Sequence, residues 1–123
     1  GQTPLLWAAK RGHNALVRVL LETDDIDVNA KDNLKNSPLL WAVAGTHTEV
    51  IKLLLDRDHA DTEVEDYEGL TPLHMASMEG HLRVVQVLLS QNNKNVNSKD
   101  NRGSTPMHYA SESGYFRIVK LLL

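Results

Sequence analysis

Four blocks of aliphatic residues set the rhythm of this chain: Leu16-Val17-x-Val19-Leu20-Leu21, Val50-Ile51-x-Leu53-Leu54-Leu55, Val84-Val85-x-Val87-Leu88-Leu89 and Ile118-Val119-x-Leu121-Leu122-Leu123. The interrupting residue is polar each time: Arg18, Lys52, Gln86, Lys120. Apolar residues at i, i+1, i+3, i+4 and i+5 form a broad stripe on one helix face, with the polar position outside it. Ahead of each block stands a second marker: Thr3-Pro4-Leu5-Leu6, Ser37-Pro38-Leu39-Leu40, Thr71-Pro72-Leu73-His74 and Thr105-Pro106-Met107-His108, each 34 residues after the last. The hydroxyl can accept from a free N–H of a first helical turn, and proline there loses no bond. Gly12, Gly80 and Gly114 follow where a helix must close. The pattern therefore predicts eight helices, near residues 4–11, 14–22, 38–45, 48–56, 72–79, 82–90, 106–113 and 116–122.

A fixed period of this size marks a solenoid. Helices this short are marginal alone and must borrow stability from packing. A small-residue column, Ala8-Ala9, Ala42-Val43, Ala76-Ser77 and Ala110-Ser111, allows close helix approach. Each leucine face is then expected to bury against the next repeat. The segments 29–37, 63–71 and 97–105 read as turns projecting from one edge. Trp7, Trp41, Met75 and Tyr109 share a column that is expected to pack between helices.

These columns resemble the ankyrin repeat. Asp66-Tyr67-Glu68-Gly69-Leu70-Thr71-Pro72-Leu73-His74-Met75-Ala76 follows that family's pattern almost letter for letter, and Asp100-Asn101-Arg102-Gly103-Ser104-Thr105-Pro106 does so again. The resemblance implies an all-α solenoid of stacked helix-turn-helix units with projecting β-turn or hairpin loops. It covers 1–123, with repeats near 1–31, 32–65, 66–99 and 100–123, read as a piece of a longer array. It also implies that the rings of His74 and His108 bond to the neighbouring Thr-Pro segment. Repeat two departs most: Lys35 replaces the turn glycine, Thr46 replaces the helix-ending glycine, and Gly45 is expected to take over that stop. Each complete copy carries one residue beyond the family's usual period, in 23–26, 57–60 and 91–94.

The 123 residues carry a net charge of −3 and no cysteine. Disulfides and thiolate zinc sites are thereby excluded, and a reducing interior, cytoplasmic or nuclear, fits. The longest apolar run, 38–44, is too short to span a bilayer. The charge is uneven, with repeat two concentrating Asp56, Asp58, Asp61, Glu63, Glu65, Asp66 and Glu68. Their spacing does not fit a calcium loop: counting from Asp56, position five falls on Ala60 and position twelve on Tyr67. They read as solvated turn acids or as a docking face for a basic partner.

No chemistry-bearing motif stands out. There is no G-x-S-x-G, H-E-x-x-H, phosphate-binding glycine loop or cysteine nucleophile. His13, His47 and His81 share one column, which stacking separates, so they read as structural rather than as a metal site. No basic stripe interleaved with aromatics suggests nucleic acid. No catalytic residue, cofactor or metal is expected, and the chain is expected to be a monomer. The two tryptophans also fit a cage for a methylated amine, which some ankyrin arrays provide.

What the resemblance implies instead is a protein partner on the concave side, formed by turn tips and first helices. The family columns place Asn33, Leu34, Asn36, Glu65, Tyr67, Glu68, Leu70, Asn101, Arg102 and Ser104 on the tips. Met78 and Glu79 fall on the helix edge. Tyr67 and Leu70 are expected to be exposed anchors amid acids, suited to a partly basic, partly apolar segment. Asn29 fits a family site of asparaginyl hydroxylation, counted from Leu21 through Asp27-Val28; Leu89 to Asn95-Val96-Asn97 fits less well. The competing function is a targeting or regulatory arm of a larger enzyme, such as a nucleotide-binding signalling ATPase, whose catalytic domain lies outside this chain.

Overall fold

The computed structural model describes residues 2–57, 60–91 and 96–123. Gly1, the 58–59 part of the second loop and residues 92–95 of the third, Asn95 among them, lie outside the described residues. Eight helices run through the rest: α1 Pro4–Arg11, α2 Asn14–Leu21, α3 Pro38–Ala44, α4 Thr48–Leu55, α5 Pro72–Glu79, α6 Leu82–Gln91, α7 Pro106–Glu112 and α8 Phe116–Leu122. Every predicted boundary lies within a residue of its helix. Among the described residues there is no strand, and no helix is long and apolar enough to cross a membrane.

The helix starts form as the sequence dictates. Thr3 Oγ1 and Ser37 Oγ accept from Leu6 and Leu40 N–H, each at 3.2 Å, and Thr71 and Thr105 cap His74 and His108 N–H at 3.3 Å. Proline opens each of these helices. The first helices α1, α3, α5 and α7 form one layer, and α2, α4, α6 and α8 form a second. Ala8, Ala9, Ala42, Ala76 and Ala110 are fully buried and let the first layer pack more closely than the second. Closer packing in the first layer favours a stack that curves toward the first helices.

Between the layers lies one continuous core, including Val17, Leu21, Val50, Ile51, Leu54, Val84, Val85, Leu88, Ile118 and Leu122. Arg18, Lys52, Gln86 and Lys120 all point to solvent, as expected. The apolar stripe is narrower than predicted, because Val19 remains 62% exposed and its equivalents Leu53 and Val87 are only half-buried. That column sits where the stripe curves out of the inter-repeat contact.

Repeat two keeps the family backbone without the family glycines. Lys35 takes φ 65 in the turn, and Thr46 takes φ 57 after α3. Gly45 is the residue at which α3 ends, but with φ −88, in the right-handed region, it supplies no left-handed turn. The register wins because His47 N–H must still reach the Ala42 carbonyl, at 2.9 Å. Gly45 serves a steric need instead. A Cβ there would sit 2.4 Å from His47 Nε2.

Candidate functional site

Each turn is organised by one aspartate. Asp32, Asp66 and Asp100 accept through Oδ1 from the N–H groups two and four residues on, at 2.9–3.0 Å. Asp32 Oδ2 also accepts from Trp41 Nε1–H at 2.7 Å, and Asp100 Oδ2 accepts from the Tyr109 hydroxyl. Burial pushes Asp100 up, but the Tyr109 hydroxyl and the Ser104 and Arg102 N–H groups that donate to it prevail and hold it below the ordinary 3.8. The same bond, with burial and the carboxylate's charge, raises Tyr109 above 10.0.

The turns are then linked into a row. Tyr67 N–H donates to Leu34 O at 3.2 Å, Asn101 N–H to Glu68 O at 3.0 Å, and Asn101 Nδ2 to Tyr67 O at 3.0 Å. On this rigid row Tyr67 is 56% and Leu34 51% exposed. Asn33, Glu65, Glu79, Asn101 and Arg102 are exposed beside them, and Asn36, Glu68, Met78 and Ser104 are half-buried. Arg102 approaches Glu68 at 4.0 Å.

Leu70 does not belong with them. It is 9% exposed, and its N–H and carbonyl close the Asp66 turn. A leucine just before a Thr-Pro start points inward because the following helix must seat its first turn on the core.

The tryptophan column departs from expectation in the other direction. Trp7 is 44% exposed, with the Arg11 guanidinium 4.8 Å from its ring centre. Trp41 is half-buried, with Lys10 Nζ 4.4 Å over its ring. One face of each indole is thus already covered by a cation of the chain itself. For Arg11 the signal was present in the spacing, since it follows Trp7 by four residues on one helix face, whereas Lys10 over Trp41 crosses from one repeat to the next. Gln2, Lys10, Asp32, Asn33, Leu34 and Trp41 line a hollow of about 270 Å³ between α1 and the first turn. That is small for a cofactor and sized for a side chain or two.

The acids of repeat two do not form one face. Asp61, Glu63, Glu65 and Asp66 share a hollow with Lys31 and Lys35, while Asp56 lies across from Asp24 and Asp27 beside Arg57. Asp58 and His59 lie outside the described residues. His47 Nε2 reaches Lys10 O at 3.1 Å, and His81 Nε2 reaches Thr46 Oγ1. Each ring thus hooks the preceding repeat. Asn29 bridges repeats as well, its Oδ1 accepting from Asp61 N–H at 2.8 Å.

The family model for ankyrin repeats, in three copies, matches residues 1–66 and again 58–123. No curated protein matches the chain.

Proposed function

The chain belongs to the ankyrin-repeat family, whose repeats are protein-binding modules, and from that premise we propose that it is a non-catalytic scaffold binding its partner on the concave side. The observation that carries this reading is the continuous strip Trp41–Leu34–Tyr67. Leu34 and Tyr67 stand exposed there on a hydrogen-bonded row of turns, beside the half-buried Trp41, and Glu65, Glu68, Asn101 and Arg102 form a polar rim. An apolar centre with a polar rim is the usual anatomy of a protein interface. The backbone beneath it is pinned by three aspartates, so little ordering opposes binding. Tyr67 and Leu34 are the anchors; Leu70, being buried, supports the turn from below.

The reading is tested by placing a photo-crosslinking side chain at Tyr67 or, as a control, at Lys52 on the outer layer. Partner should be trapped from Tyr67 and not from Lys52. Trapping from Lys52 alone would move the interface to the other side.

A further inference from the structure

The concave side is not uniform in charge. Around Tyr67 the charged rim is Glu65 and Glu68, with Arg102 approaching Glu68, whereas around Trp7 and Trp41 it is Lys10 and Arg11. Among the described residues, neither Lys10 nor Arg11 lies within ion-pair distance of a carboxylate. Asp32 also lines the hollow, but its oxygens are committed to Leu34 N–H, Asn36 N–H and Trp41 Nε1–H.

Resting on the binding reading above, we propose that this first bay seats an acidic, aliphatic segment of the partner. A partner carboxylate meets Lys10 and Arg11, and the aliphatic side chain next to it enters the hollow between Trp41 and Leu34. Three features fit that occupant. The Asp32 bond fixes the indole of Trp41, so the hollow is built before the partner arrives. The two cations rest on indole faces, which restrains long side chains that would otherwise lose rotamer freedom on binding. A cation beside an aromatic wall offers a carboxylate a partly dry, charge-assisted bond. A basic residue in the same hollow would face Lys10 directly, and like charges there suppress the wrong partner. With acids around Tyr67 farther along, the strip orients a bound segment: its acidic part lies over repeat one and its basic part over repeat three.

The chain carries two tryptophans, Trp7 and Trp41, and Trp41 lines this hollow, so intrinsic fluorescence reports it. The probes are an acetylated, amidated peptide alternating glutamate with leucine, and its lysine–leucine counterpart. The glutamate peptide should shift tryptophan emission saturably, more weakly as salt rises, and the lysine peptide should not. A Lys10→Gln, Arg11→Gln variant should raise Kd about tenfold or more, Lys10→Arg should keep it near wild type, and Lys52→Ala on the outer layer should leave it within about twofold. The inference is overturned by no saturable shift, by equal response to both peptides, by no salt dependence, or by an unchanged Kd in the double variant. If the lysine peptide binds instead, and Tyr67→Ala abolishes that binding, this bay's assignment falls while the concave-side reading stands.

Discussion

The ring of His74 joins two repeats: Nε2–H donates to the Ser104 carbonyl 2.9 Å away, and Nδ1 accepts from Thr71 N–H in its own helix start at 3.2 Å. The ring is fully buried, so these partners assign its tautomer. His74→Leu restores the residue type of Leu6 and Leu40, both fully buried, and keeps most of the volume. It leaves Thr71 N–H without its acceptor and removes the bond to repeat four. The expected cost is about 1–3 kcal/mol. His74→Ala should cost more, because a cavity is added. Urea melts of the two variants check the order.

Tyr109 and Asp100 repeat the same inter-element logic with a charge. Asp100 is depressed in the folded state, so its contribution is present above 3.8 and fades as pH falls through its folded value. Tyr109 is raised, so its contribution is present below 10.0 and fades as pH rises through its folded value. Tyr109→Phe should therefore cost about 1–2 kcal/mol at neutral pH. The gap between wild type and variant should stay flat from about pH 5 to 9 and narrow beyond both ends. Chemical melts across that range would show it; a gap that widens in acid contradicts the assignment.

Lys35 occupies the backbone conformation that Gly69 holds one repeat later, with φ 65 against φ 79. Lys35→Gly removes a Cβ penalty of about 1–2 kcal/mol, less the entropy that glycine adds to the unfolded chain. A net gain of up to about 1 kcal/mol is expected, with Lys35→Ala giving none. Gly69→Ala should lose about 1–3 kcal/mol, since its Cβ would also meet Asn101 Oδ1 at 2.6 Å. Thermal melts of the three variants rank them.

The aliphatic columns make the plainest stability test. Leu54 and Leu88 are buried, and truncating either to alanine should cost about 2–5 kcal/mol. Lys52→Ala, at the exposed position between α4's apolar residues, should stay within about 0.5 kcal/mol. Ser77 is fully buried with no partner for its hydroxyl among the described residues, so Ser77→Ala should be neutral or stabilising. Equal losses at Leu54 and Lys52 in urea would place the stripe on the wrong face.

Local chemistry made the scaffold legible. Hydroxyl–proline starts, aliphatic blocks and the 34-residue register place all eight helices, because each signal acts within a few residues of its effect. The misreadings share a different cause. Whether Leu70 points in or out depends on how its turn seats on the next helix. Whether Trp7 and Trp41 are core depends on how far the first layer leaves them uncovered. Thr46, rather than Gly45, turns left-handed because His47 must meet both the Ala42 carbonyl and the Lys10 carbonyl of the repeat before it. Each outcome is decided by a neighbouring repeat, and a single column of sequence does not carry that information. The candidate site is therefore less legible than the fold: Tyr67 and Leu34 follow from turn position, while the placement of Lys10 over Trp41 emerges only from packing.

The central claim is that the exposed strip on the concave side holds the partner, and a Leu34→Ala, Tyr67→Ala double variant tests it most directly. Both side chains are more than half exposed, so the variant should melt as wild type does. Calorimetric titration with the partner trapped at Tyr67 should then show affinity lower by at least about 2 kcal/mol, the loss expected of interface hot spots. An unchanged affinity at an unchanged melting temperature would contradict the account.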